Sequence, residues 1–110
     1  MFSSTNFLSQ YDSLKATSLK SRVLSNSDIE PLLSLLSDTF DVSTLGHSEI
    51  GLPIHGVKIG SGPKRILLWS QMHGNESTTT KALFDLFNYL KLEDFNALLG
   101  TCTLFIIPIL

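Results

Sequence analysis

Two apolar runs of strand length, separated by an amphipathic helix, place the strongest constraint on the fold of this chain. The runs are residues 65–71 and 101–110, and residues 77–91 between them carry leucine and phenylalanine at helical spacing. Strand, helix and strand in this order form a βαβ unit, which normally joins two parallel strands. We therefore predict an α/β fold, in which the strand at 65–71 is buried on both faces and Trp69 belongs to the core.

The chain ahead of this unit divides near residue 42. Apolar residues in the segment 6–14 follow one helical face and predict a first helix. Ser27 and Glu30 match a capping box, which predicts a second helix that starts at Ser27 and has Pro31 in its first turn.

A β-hairpin is predicted next, with one strand running from residue 42 towards residue 50, a turn at 51–53 and a returning strand at 54–59. We predict a helical segment over residues 1–42 and an α/β part over residues 43–110.

Composition and length exclude several classes of protein. The chain has 110 residues, which allows at most one small domain, and its 43% hydrophobic content with a net charge of -2 argues against disorder. The basic residues are scattered, with only Lys64 and Arg65 adjacent, so we expect no nucleic-acid partner. No apolar run approaches the ~18 residues of a membrane span, and no signal segment is apparent, so we expect no membrane partner. A single cysteine, Cys102, fits a reducing compartment and a cytoplasmic location.

Chemistry-bearing residues are concentrated directly after the first strand, in the sequence Q-M-H-G-N-E at 71–76. The carboxyl ends of strands in open α/β sheets are where ligands bind. His73 and Glu76 are spaced so that an imidazole and a carboxylate can converge on one zinc ion, and Gly74 adds no side chain to crowd it. The alternative is a loop histidine and a first-turn carboxylate that complements the helix dipole. Spacing alone favours the alternative, and the position after a strand makes the two interpretations equal.

Together with the hairpin, this segment resembles the zinc carboxypeptidase family. Residues 46–54, G-H-S-E-I-G-L-P-I, resemble the family's G-x-S-x-x-G-R-P-I hairpin, and H-G-N-E at 73–76 follows a strand and opens a helix as it does in the family. The resemblance covers about residues 43–110 and implies a three-layer α/β/α domain, a mixed sheet flanked by helices, that is incomplete in this chain. It implies Zn²⁺ as cofactor, with His73 and Glu76 as its first two ligands. The implied reaction is hydrolysis of a peptide or amide bond next to a free carboxylate, on a peptide or small amide substrate.

Two departures from the family pattern leave alternatives open. Leu52 stands where the hairpin usually carries arginine, and Asn75 stands where several members carry a substrate-contacting arginine. H-G-N-E also resembles the related succinylglutamate desuccinylase and aspartoacylase group, which cleaves small N-acyl amino acids.

The family's third zinc ligand, general-base glutamate and substrate-binding arginines have no counterpart in these residues. The sequence also ends in an apolar strand, residues 101–110, with no element after it to cover it, and we therefore expect the front portion of a longer protein. The alternative for a chain that is complete at 110 residues is a non-catalytic remnant that acts as an interaction module.

Other candidate residues are assigned structural roles. His47 and His55 lie in the hairpin, where the family has no ligand, and we expect His55 to pack on the sheet. Ser70 and Ser77 lack the G-x-S-x-G setting of a nucleophilic serine. The apolar strand at 103–110 is expected to be exposed and to promote association of the chain.

Overall fold

The computed structural model of the chain describes residues 4–110, apart from the side chains of residues 4, 6 and 94. Its elements follow the predicted order of two helices, a hairpin, a strand, a helix and a last strand. A single 3₁₀ turn and one further short helix precede the last strand. The helices are α1 (Ser4–Leu14), α2 (Asn26–Leu36), α3 (Thr78–Leu90) and α4 (Asn96–Thr101), and the strands are β1 (Asp41–His47), β2 (Pro53–Gly60), β3 (Lys64–Trp69) and β4 (Cys102–Ile107).

Helix α2 is capped two residues earlier than the sequence predicts. Ser25 is the N-cap, and the Asp28 carboxylate accepts hydrogen bonds from the Ser25 backbone N–H at 2.8 Å and from its hydroxyl at 3.1 Å. The capping pair predicted at Ser27 and Glu30 is therefore wrong, because Ser25 and Asp28 match the same pattern and are the pair that the helix uses. Pro31 consequently lies in the second turn of α2 and not in the first.

Strands β1 and β2 form the predicted antiparallel hairpin. Gly51 lies in its turn with a φ of 84°, a backbone conformation that glycine adopts without steric cost. The register is irregular between Thr44 and Gly46, and Leu45 is the extra residue. The Leu45 side chain lies over Gly56, where any added Cβ would come within 2.7 Å of the leucine. Glycine at position 56 therefore allows the hairpin to pack closely against its own bulge.

The four strands form one mixed sheet in the order β1-β2-β4-β3. Strand β4 pairs antiparallel with β2 and parallel with β3, in a register that joins Leu104 to Ile59 on one side and to Ile66 on the other. The predicted α/β fold and the parallel βαβ unit are confirmed. The prediction that strand 103–110 is exposed for association is wrong, because β4 is hydrogen-bonded on both sides.

Strand β3 lies at an edge of this sheet, which contradicts the prediction that it is buried on both faces. Five of its six residues are exposed, and Leu67 and Trp69 expose 57% and 49% of their surface. Trp69 is therefore not a core residue. The apolar run predicted burial on both faces, but β3 has a neighbouring strand on one side only, because β4 lies between β2 and β3.

The core lies between the sheet and the helices α2 and α3. Alternate residues of β2 and β4 point into it, as the pleat of a strand requires. Phe87 in α3 is fully enclosed, and its ring meets that of Phe84 edge to face at a centroid distance of 5.2 Å. The other buried members include Ile29, Leu33, Leu36, Val57, Ile59, Leu83, Leu90, Cys102, Leu104 and Ile106. Within residues 4–110, the helices are too short or too polar to cross a bilayer.

Candidate metal centre

The loop between β3 and α3 carries the candidate ligands, at the carboxyl end of a parallel strand pair. His73 Nδ1 lies 3.1 Å from Glu76 Oε2, and both side chains are mostly exposed, at 63% and 69%. Glu76 directly precedes Ser77, the N-cap of α3. A carboxylate at this end of a helix is electrostatically favourable. The structure thus brings the two predicted residues together at an accessible helix start.

The two candidate residues offer a donor set that suits zinc. An imidazole nitrogen and a carboxylate oxygen are both zinc ligands in proteins. In the structure, His73 Nδ1 and Glu76 Oε2 lie 3.1 Å apart, which is the distance of a hydrogen bond between them. One exposed imidazole beside one exposed carboxylate therefore fits zinc by the chemistry of its donors.

A complete catalytic zinc site needs three protein ligands. Among the described residues, no cluster of three or more His, Cys, Asp or Glu side chains could hold a metal ion. The described part of the chain thus offers one candidate pair, His73 and Glu76, and no complete site.

The other two histidines lie away from this pair. His47 ends β1, the edge strand opposite β3, and is exposed. His55 on β2 is half-buried, and its Nε2 lies 3.2 Å from Glu30 Oε1 on α2. The expectation that His55 packs on the sheet agrees with this position, and Glu30 is its partner.

A buried polar network beneath the loop was not predicted. Gln71 is buried, and its side-chain nitrogen donates to the Leu24 carbonyl at 2.6 Å and to the Gly74 carbonyl at 3.1 Å. Its side-chain oxygen accepts a hydrogen bond from the Thr80 hydroxyl at 2.8 Å. Because buried polar groups left without partners cost about 1–3 kcal/mol each, a network in which each group is bonded stabilises one geometry of the loop.

Thr80 is the centre of this network and is fully enclosed in the first turn of α3. Its hydroxyl oxygen also lies 3.0 Å from Ser70 Oγ and 3.1 Å from the Pro108 carbonyl. Ser77 Oγ donates to the Arg22 carbonyl. Ser70 and Ser77 are therefore engaged in structural hydrogen bonds, in agreement with the rejection of a nucleophilic serine. The sequence signal for this network is a run of three threonines at 78–80 in a helix that otherwise favours leucine and phenylalanine.

The residues that depart from the family pattern are exposed. Leu52 lies after the hairpin turn and exposes 52% of its surface, and Asn75 is exposed beside the ligand pair. A Cβ at Gly74 would contact no atom within 4 Å. A groove of about 200 Å³ borders Glu76 and is lined by Trp69, Ser70, Gln71, Met72 and Thr79.

Comparisons with known proteins agree with this geometry. The family model described as zinc carboxypeptidase matches residues 26–110. The matched span begins with α2, ahead of the boundary near residue 42 that the sequence predicts, and that boundary stays a prediction. No curated protein matches the sequence.

Several solved structures share the fold. A candidate carboxypeptidase A from Shewanella denitrificans is 24% identical with a TM-score of 0.69, over 76% of this chain and 24% of its own. A metallo-carboxypeptidase from Burkholderia cenocepacia is 18% identical with a TM-score of 0.70, over 79% of this chain and 27% of its own. The carboxypeptidase A of Helicoverpa armigera is 20% identical with a TM-score of 0.60, over 96% of this chain and 31% of its own. The chain thus spans about a quarter to a third of the length of these proteins, and at these identities the likeness concerns the fold.

Proposed function

Because this chain belongs to the zinc carboxypeptidase family, we propose that it forms the metal-binding front of a metallocarboxypeptidase domain. In this proposal His73 and Glu76 are two of the zinc ligands, and the reaction is hydrolysis of a peptide or amide bond next to a free carboxylate. A zinc ion in such a site supplies Lewis-acid polarisation of the scissile carbonyl.

The observation that carries the proposal is the pairing of His73 Nδ1 with Glu76 Oε2 at 3.1 Å, on an exposed loop at the carboxyl end of a strand. Both side chains can bind a metal ion without unfolding any helix or strand, because neither contributes to the core. The Thr80 network below them limits the movement of the loop, so that the ligand atoms stay near each other. Preorganisation of this kind is part of metal affinity.

The substrate class proposed is a peptide with a free C-terminal carboxylate. Each similar structure named above is described as a carboxypeptidase, and none of them supports the N-acyl amino acid deacylase alternative. Asn75 lies next to Glu76 in place of the arginine that several family members carry. An uncharged amide there can donate hydrogen bonds to a carboxylate without adding a positive charge.

Zinc titration calorimetry on the chain tests the ligand assignment. We expect weak one-to-one binding, because two protein ligands are available here, and we expect His73→Ala and Glu76→Ala each to abolish it. His47→Ala is the matched control, since His47 is an exposed histidine on the opposite edge of the sheet. Zinc binding that persists in Glu76→Ala, or that disappears in His47→Ala, would refute the assignment.

A turnover assay tests the reaction class. It compares a peptide with a free C-terminus and the same peptide with an amidated C-terminus. The full enzyme that carries this sequence should cleave the free peptide in preference, and His73→Ala should remove that cleavage. Equal turnover of both peptides, or preferred turnover of an N-acyl amino acid, would contradict a carboxypeptidase.

A further inference from the structure

The segment that links α1 to α2, residues 15–25, lies ahead of the span that the zinc carboxypeptidase model matches. We call it the N-terminal strap. It has no regular secondary structure, yet Leu19 and Leu24 are buried in the core of the domain. The strap is therefore packed as part of the domain, although the family match begins after it.

Two carbonyl groups of the strap accept hydrogen bonds from side chains of the metal-loop region. Gln71 Nε2 donates to the Leu24 carbonyl at 2.6 Å, across 47 residues of sequence. Ser77, immediately after Glu76, donates its hydroxyl to the Arg22 carbonyl. The two contacts enclose the loop 72–76, one on each side of it.

The side chain of Gln71 connects three parts of the molecule. It bonds to the strap through Leu24, to the middle of the loop through the Gly74 carbonyl and to α3 through Thr80. All of its hydrogen-bonding groups face protein partners in a buried position. Each contact is to a different part of the chain. Loss of the amide would therefore remove the hydrogen bonds that connect the loop to the strap and to α3 at the same time.

The backbone at Gln71 is also unusual. Its φ is 52°, in the left-handed region that non-glycine residues rarely adopt. Residues in this region cluster at functional sites and persist when surrounding contacts fix them. Here the fixing contacts are those of the residue's own side chain. This conformation turns the chain sharply after β3 and directs it into the loop that carries His73.

We propose that Gln71 is a positioning residue for the metal centre, and that the N-terminal strap is a structural part of that centre. This inference rests on the proposed zinc site. Gln71 acts through the loop and touches neither His73 nor Glu76 in the hydrogen bonds of the structure. It lies one step further out than the partners that hydrogen-bond metal ligands directly, whose loss typically weakens metal affinity by about 10–100-fold, so we expect an effect at the lower end of that range.

The test uses Gln71→Met, which keeps the length of the side chain and removes its three hydrogen bonds. We expect zinc to bind about tenfold more weakly, and the visible absorption bands of the Co²⁺-loaded protein to shift, because the ligand geometry changes. Hydrogen exchange of the metal-free protein should become faster at residues 22–25 and 72–76 together. Ser77→Ala removes only the second strap contact, and should speed exchange at 22–25 while leaving α3 intact, since the Ser77 side chain does not cap that helix.

Thr103→Val is the matched control. Thr103 is equally buried and donates to the Gly62 carbonyl at 2.7 Å, so the variant loses a buried hydrogen bond away from the loop. It should leave zinc affinity and the Co²⁺ spectrum unchanged. The positioning role is refuted, while the zinc site stands, if Gln71→Met has the zinc affinity and the Co²⁺ spectrum of the wild type. It is also refuted if Thr103→Val changes the affinity and the spectrum as much as Gln71→Met does. If wild type binds no zinc, the proposed function itself fails, and the role of Gln71 at a metal centre fails with it.

Discussion

His73 Nδ1 and Glu76 Oε2 lie 3.1 Å apart, yet neither side chain supports the fold, because both are mostly exposed. We therefore expect substitution of either residue to weaken metal binding without lowering the stability of the fold. His73→Ala and Glu76→Ala should each change the free energy of unfolding by no more than about 0.5 kcal/mol, since substitutions of exposed side chains outside the core have small effects. Chemical denaturation followed by circular dichroism measures this. A loss of several kcal/mol in either variant would show that the loop is part of the folding core.

Substitution of a core residue should instead lower the stability of the fold. Phe87 is fully enclosed between the helices and the sheet, and we expect Phe87→Ala to lower the free energy of unfolding by about 3–5 kcal/mol. Leu35→Ala is the control, because Leu35 on α2 exposes 64% of its surface. Urea titration of both variants provides the measurement. Similar losses in the two would mean that α3 does not pack as described.

Much of the fold was predictable, because it depends on local patterns. Helical spacing at 77–91 and the apolar run at 101–110 correctly predicted α3 and β4, and hence the parallel pair with β3. The hairpin followed from its glycine and proline turn. These signals are each contained within a few residues, and tertiary packing did not override them.

One error concerns a feature that distant residues decide. The burial of β3 depends on strand order, and no local pattern shows that β4 lies between β2 and β3. The capping error is local, because Ser25 with Asp28 and Ser27 with Glu30 match the same pattern equally well.

The candidate site, too, could be predicted from the sequence only in part. His73 and Glu76 were predicted as ligands from their position after a strand and from a family resemblance. The support beneath them was missed, because the contact between Gln71 and Leu24 spans 47 residues and involves a main-chain carbonyl, which sequence does not mark.

A hydrogen bond that involves a titratable tyrosine connects helix α1 to α3. Tyr11 donates its hydroxyl to Asp85 Oδ2 at 3.1 Å, and this hydrogen bond and the negative charge of Asp85 raise the pKa of Tyr11 above the usual 10.0. Burial raises the pKa of Tyr89, the other tyrosine of the chain. A raised pKa in the folded state means that the stabilisation is fully present below pH 10.0 and is lost as the pH rises through the folded value.

We therefore expect ultraviolet titration of the folded chain to show both tyrosines ionising above pH 10.0. Asp85→Asn should lower the pKa of Tyr11 and leave that of Tyr89 in place. The amide oxygen can still accept the Ala16 N–H, which bonds to Asp85 Oδ1 at 2.7 Å, so the helix contact should survive the substitution. A Tyr11 that titrates at the same pH in both proteins would show that Asp85 does not set its pKa.

The edge strand β3 predicts how the isolated chain associates. Its outer backbone groups have no neighbouring strand in the described sheet, and Leu67 and Trp69 add exposed apolar surface beside them. Edges of this kind pair with other chains. The opposite edge, β1, is protected by the bulge at Leu45 and by a mostly polar sequence.

We expect concentration-dependent self-association of the chain, measured by sedimentation velocity, and we expect Leu67→Lys to reduce it strongly, because an outward lysine on an edge strand opposes pairing. Ile50→Lys is the matched control, since Ile50 in the hairpin turn is 83% exposed and also apolar, but lies on no strand edge. That variant should associate as wild type does. Equal suppression by both substitutions would indicate a general effect of added charge and would contradict pairing through β3.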